Sequence, residues 1–113
     1  METVIRPWGQ YKVLYDSEYT KVKELTVYAH QRLSYQYHKF RQEHWVVVKG
    51  IATVTLDKDT SDFTHNDHIN VPLGIKHRLA NNADDDLIII EIQTGTYFGE
   101  DDIIRLDDDY DRD

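Results

Sequence analysis

The stretch Gln36-Tyr37-His38-Lys39-Phe40-Arg41-Gln42-Glu43-His44-Trp45, running on through three valines to Lys49 and Gly50, decides how the chain is read. It gathers an amide, two imidazoles, a carboxylate and a guanidinium directly ahead of an apolar run. Gln36 and His38 are two apart, so on a strand both side chains point to one face. Glu43 follows a short bend that can return it to the same point. An amide oxygen, an imidazole and a carboxylate converging from a rigid sheet make a metal site that lacks one ligand. His77 is the candidate for it. It begins a strand just after Pro72-Leu73-Gly74, a turn able to fold that strand back beside the first.

Outward from this stretch, no segment keeps a 3.6-residue period. Short β-branched and aromatic runs alternate instead with Gly, Pro, Asn and Asp, the pattern of an all-β sandwich or barrel. Strands are expected over 19–28, 33–38, 45–49, 51–56 and 87–93, with others at His68 and from His77. Residues 57–62 read as a polar hairpin loop. Arg6-Pro7-Trp8-Gly9-Gln10-Tyr11 reads as an extended arm pinned by its indole. Residues 101–105 read as one helical turn with acids at its positive end. The expected organisation is one domain over 1–113, with an N-terminal arm (1–18), a barrel (19–98) and an acidic tail (99–113).

Composition sets the bounds. A chain of 113 residues supports one core. It has no cysteine, which excludes disulfides and thiolate metal sites. Of the net charge of −8, residues 100–113 carry −6, leaving −2 for residues 1–99. The nearly neutral body has no nucleic-acid footprint, and the tail reads as a solvated end. The opening residues Met1 to Arg6 have no apolar signal core, and no run approaches membrane-spanning length. A cytoplasmic protein that binds neither nucleic acid nor membrane is expected.

The spacing also resembles the double motif of cupins, G-x5-H-x-H-x3,4-E-x6-G followed by G-x5-P-x-G-x2-H-x3-N. Gln36-x-His38-x4-Glu43-x6-Gly50 matches the first, with Gln for the first His and His30 where the leading Gly would stand. Asn66-x5-Pro72-x-Gly74-x2-His77-x3-Asn81 matches the second, with Asn for its leading Gly. More specifically, several segments together resemble the cupin domain of type II mannose-6-phosphate isomerases, usually fused behind a mannose-1-phosphate guanylyltransferase domain. They are Arg6 to Tyr11, Leu33-Ser34, Gln36-x-His38, Arg41 to Trp45, His77-Arg78-Leu79, Glu91-x-Gln93-x-Gly95 and Gly99-Glu100-Asp101-Asp102-Ile103-x-Arg105. That family normally carries Gln at the first ligand position. Two turns depart from it, Ala29-His30 and Tyr110-Asp111-Arg112.

The resemblance implies a double-stranded β-helix, or jelly-roll barrel, that interconverts mannose 6-phosphate and fructose 6-phosphate on the way to GDP-mannose and polysaccharide. It implies one divalent ion on Gln36, His38, Glu43 and His77, zinc first, with Mn, Fe, Co or Ni also suited. It also associates Arg41 with isomerase activity. The chain has no Gly-rich sugar-nucleotide loop, so guanylyltransfer is not expected of it.

Such a reaction moves a proton between C1 and C2 through an enediolate, and needs a Lewis acid, a base over the carbons and cations for the phosphate. Glu91 is the candidate base: it alternates with Ile90 and Ile92, and burial among isoleucines would raise its pKa. Glu100 is a further candidate if the tail folds over the mouth. Arg41 steadies the enediolate or binds phosphate, or is a surface salt-bridge residue. Lys21 and Lys23, on the face of Leu25 and Val27, are candidate substrate contacts with Arg78 and Gln93. Paired lysines also serve to guard sheet edges. Alternation aims His44 away from the ligands, and Trp45 reads as core. Two other functions stay open. One is a non-catalytic, metal-containing module that binds a sugar or sugar nucleotide. The other is an Fe(II) oxygenase, since His38, Glu43 and His77 form a two-histidine, one-carboxylate set. With no obvious partner for the arm within the chain, an exchanged N-terminal strand and a homodimer are expected.

Overall fold

The structure, a computed structural model, describes residues 2–110; Asp111, Arg112 and Asp113 lie outside the described residues. The strands are β1 (Thr3–Arg6), β2 (Gly9–Asp16), β3 (Thr20–Val27), β4 (Tyr35–Tyr37), β5 (Arg41–Lys49) and β6 (Ala52–Leu56), then β7 (Asp59–Phe63), β8 (His68–Val71), β9 (His77–Ala80), β10 (Leu87–Gly95) and β11 (Ile104–Asp107). They form two antiparallel sheets, ordered β1-β2-β3-β10-β5-β8 and β11-β4-β9-β6-β7. This is the double-stranded β-helix expected.

The register explains why one end of the barrel is a core and the other a site. Inward-facing Ile89 of β10 lies between Leu25 of β3 and Val47 of β5. These residues, with Val27, Leu79 and Leu87, are buried at 4% exposure or less. Burial of each such side chain contributes about 1.5–3 kcal/mol. Two residues along β10, Glu91 lies between Lys23 and Trp45, then Gln93 between Lys21 and Glu43, and Gly95 beside Arg41. The second sheet changes in the same direction. Val54 pairs with Leu79, while Leu56 pairs with His77, which pairs in turn with Gln36. A period of two therefore keeps every one of these residues on the inner face, and position along the strand decides whether it is core or chemistry.

Several expectations change. The arm has a partner within the chain: β1 and β2 form a hairpin, and β2 pairs with β3. The need for a neighbour's sheet therefore disappears. Residues 59–62 of the expected loop, with Phe63, form β7, an edge strand of mostly polar residues held by pairing with β6. Up to Tyr110 the tail is not a solvated end. After a 3-10 turn at Glu100–Asp102, shorter than the expected helical turn, it supplies β11, which pairs with β4. Asp102 is 5% exposed, and its carboxylate accepts the backbone N–H groups of Lys39 and Phe40 at 3.0 Å each. β5 begins four residues earlier than expected because it is paired along its length with β10.

At Gly95 (φ +150°), an added Cβ would lie 2.2 Å from the Phe40 carbonyl oxygen. Gly95→Ala is expected to destabilise the protein by about 1–3 kcal/mol, as overpacking does. Chemical denaturation would measure this, and unchanged stability would contradict this account of the β5–β10 crossing.

Candidate active site

The charged end of the barrel opens into a cavity with an empty volume of about 570 Å³, mouth included. Gln36, His38, Glu43 and His77 line it, together with Arg41, Glu91, Lys23 and Glu100. The donor atoms of His38, Glu43 and His77 all lie within 4.8 Å of one another, and all three residues are buried.

Local bonding orients the ligands. The Nδ1 of His77 lies 2.9 Å from the Ile75 carbonyl oxygen, which only accepts, so Nδ1 donates and Nε2 is the ring nitrogen left to face the cluster. The Nη2 of Arg41 lies 3.1 Å from Nε2 of His38 and only donates, so His38 accepts there. Burial drives the His38 imidazole down to about 4; Glu43 opposes this and Arg41 reinforces it. Burial by itself would raise Glu43, but Arg41, His38 and His77 together outweigh it and hold that carboxyl at about 2. Both Glu43 oxygens are engaged. Arg41 Nε donates to Oε2 at 2.9 Å and the Trp45 indole N–H donates to Oε1 at 3.1 Å. Two imidazoles and one ionised carboxylate, with an amide alongside, are a donor set that fits a divalent ion of the Zn, Mn, Fe, Co and Ni group.

Glu91 is the opposite of Glu43. Burial and the nearby Glu43 charge push it up to about 8, against Lys23, Arg41 and Gln93. Its desolvation does not come from Ile90 and Ile92 as expected, because both sit on the outer face of β10, half-buried. The barrel interior supplies it. Gln93, fully buried, donates its amide N–H to Glu91 Oε1 at 2.5 Å, while its own Oε1 has no partner among the described residues. A half-turn of that amide would let a protonated Glu91 donate to it instead.

The other candidates divide. Lys23 is 4% exposed, with its Nζ 4.3 Å from the centre of the Tyr11 ring and 3.7 Å from Glu100 Oε2. Glu100 also lies 3.8 Å from Arg41, so the tail does fold over the mouth. Arg41 is not at the surface but is 4% exposed. Lys21 and Gln93 do not reach the cavity wall. Arg78 points the other way, because strand alternation puts it opposite to His77. Its guanidinium is held by the Leu33 and Asp107 carbonyl oxygens and the Asp107 carboxylate. His44 sits outside too, against His68. Arg6, Trp8, Tyr11 and Arg105 line the cavity and were not among the expected site residues. Their segments were set apart as arm and tail, although both belonged to the motif set shared with the resembled family.

A family model described as mannose-6-phosphate isomerase C-terminal matches residues 1–108. The chain belongs to this family. It is 48% identical over 109 residues to the alginate biosynthesis protein AlgA of Pseudomonas aeruginosa, and 43% identical over 109 residues to the mannose-1-phosphate guanylyltransferase of Escherichia coli. Each match covers 96% of this chain but 23% of the relative, so the chain spans about a quarter of those proteins. A solved double-stranded β-helix protein of Klebsiella pneumoniae superposes with a TM-score of 0.74 at 17% identity, covering 84% of this chain and 86% of that one, which supports the fold alone.

Folding is linked to these protonation states. Because its folded value is raised, Glu91 contributes stability that is complete below its ordinary 4.5 and is lost as pH rises through about 8. His38, lowered from 6.5 to about 4, contributes stability that is complete above 6.5 and lost as pH falls through about 4. Between about pH 6.5 and 8.5, Glu91 is the one of the two that titrates, and metal-free protein is expected to lose on the order of 2 kcal/mol. Melting temperatures across that range should fall in wild type and stay flatter in Glu91→Gln. Parallel curves would contradict the buried, raised Glu91.

Proposed function

We propose that the cavity interconverts a phosphorylated aldose and its ketose, mannose 6-phosphate and fructose 6-phosphate, with a divalent ion held by Gln36, His38, Glu43 and His77. The observation that carries this reading is geometric: the donor atoms of His38, Glu43 and His77 lie within 4.8 Å of one another on the wall of the cavity that Glu91 also lines, and burial beside Glu43 raises the Glu91 carboxyl into the range of a general base.

The bound ion would act as a Lewis acid on the sugar oxygens at C1 and C2. In its ionised form, Glu91 takes the proton from C2 of the aldose and returns it to C1, while the hydroxyl proton passes from O2 to O1. No oxidant or reductant is consumed. Gln93 orients the Glu91 carboxyl through Oε1. Lys23, deep in the wall, and Arg6 and Arg105 supply positive charge for the phosphate and the enediolate. Glu100 limits the opening and orders Lys23 and Arg41.

The relatives named for alginate biosynthesis and mannose-1-phosphate guanylyltransfer support a place in polysaccharide precursor supply. We place the protein in the cytoplasm with these biosynthetic relatives; a homodimer rests on the family resemblance alone, since the arm is paired within the chain. Among the described residues no helix is long and apolar enough to cross a membrane.

Purified without chelator, the protein is expected to carry a divalent metal and to turn over mannose 6-phosphate in a coupled assay. Glu91→Gln should lose about 10²–10⁴-fold in kcat with metal content retained, and chelation should abolish turnover. Near-full activity in Glu91→Gln would remove it as the base. Sugar-phosphate binding without turnover would favour a binding module, and oxygen uptake with Fe(II) an oxygenase.

A further inference from the structure

Arg41 stands on the donor groups that a metal ion would use. Its Nε lies 2.9 Å from Glu43 Oε2 and its Nη2 lies 3.1 Å from His38 Nε2. A guanidinium only donates, so it takes one lone pair from each. A divalent ion needs lone pairs from the same two residues. The two cations also repel strongly when brought together in a barrel interior that is poorly screened. The third nitrogen, Nη1, points the other way. It lies 3.5 Å from the Phe98 carbonyl oxygen and 3.8 Å from Glu100 Oε2, at the mouth, where the Glu100 side chain is 41% exposed. Acceptors therefore exist outside the donor cluster, within the reach of an arginine that lets go of it.

We infer that Arg41 is a displaceable internal cation: guanidinium and metal ion compete for Glu43 and His38, and metal entry sends the Arg41 side chain to the mouth. The inference rests on His38, Glu43 and His77 being a metal site. In the metal-free protein the guanidinium keeps Glu43 paired, so the barrel folds without metal. In the metal-bound protein the same group stands beside Phe98 and Glu100, facing an entering anion. Metal affinity is thereby set partly by the strength of the arginine clamp. By linkage, an anion that holds Arg41 at the mouth tightens the metal, and metal tightens the anion to the same degree.

The test compares Zn²⁺ affinity, measured by competition with a chromophoric chelator, in wild type, Arg41→Met and Lys23→Met. Lys23→Met removes a second buried cation of the cavity that touches none of the donor atoms. Arg41→Met is expected to bind Zn²⁺ at least about tenfold more tightly than wild type, within the ordinary range of coupling, with a much smaller gain in Lys23→Met. Metal-free Arg41→Met should melt lower than wild type and gain more on adding Zn²⁺. Equal or weaker binding in Arg41→Met, or an equal gain in both variants, overturns the displacement while leaving the metal site standing. No binding by wild type or Arg41→Met overturns both. If Arg41→Met does not fold, the wild-type Arg41 Nε–H resonance decides. It should pass from protected to rapidly exchanging as one equivalent of Zn²⁺ binds, and an unchanged resonance in the zinc-bound protein overturns the inference.

Discussion

A full negative charge inside a β-barrel is the constraint on which the charged end of this molecule depends. Glu43 is 2% exposed and stays ionised. An isolated carboxylate in that place would cost several kcal/mol, and deleting one partner of a buried pair costs about 3–5 kcal/mol. The neighbours follow from this. Arg41 pairs with Oε2, the Trp45 indole N–H with Oε1, and the two imidazoles stand beside the same carboxylate. Glu91, on the adjacent strand, then cannot easily ionise beside it. One retained charge thus creates both a metal-type donor set and a carboxyl poised near neutral pH.

The scaffold keeps that charge in place through register rather than through any single bond. β10 runs between β3 and β5, and the single step from Ile89 to Glu91 along its inner face replaces an apolar row with a polar one. Both chain ends are needed to close the polar end. The hairpin of β1 and β2 brings Tyr11 against Lys23 and Trp8 to the cavity wall, and the tail brings Glu100 to Lys23 and Arg41. Asp102 holds the tail down by accepting the two N–H groups ahead of Arg41, tying the lid of the cavity to the start of the ligand strand.

Much of this was legible because strand alternation is strict. The spacing of Gln36, His38, Glu43 and His77 placed four donor groups on inner faces, and the same parity turned His44 outward. The two replaced glycines are also understandable. His30 and Asn66 both adopt left-handed backbone (φ 61° and 74°), and His and Asn are among the residues that tolerate it best. Side-chain partners at long sequence separation were not legible. Nothing local shows that Arg78 is held by Asp107, that Arg41 sits on Glu43 and His38, or that an acidic tail returns as a strand. Parity alone likewise could not say that Trp45, a core residue by composition, also donates to the ligand Glu43. Ile90 and Ile92 were misplaced as neighbours of Glu91 because alternation puts them on the far side of the sheet.

The central claim is that this cavity moves a proton between adjacent carbons of a sugar phosphate. The most direct measurement is proton NMR of fructose 6-phosphate in deuterated water with the zinc-loaded protein. The account predicts mannose 6-phosphate formation, with deuterium entering at C1 or C2 in proportion to protein added. A sugar that remains neither interconverted nor deuterated, with zinc bound and the protein folded, would contradict it.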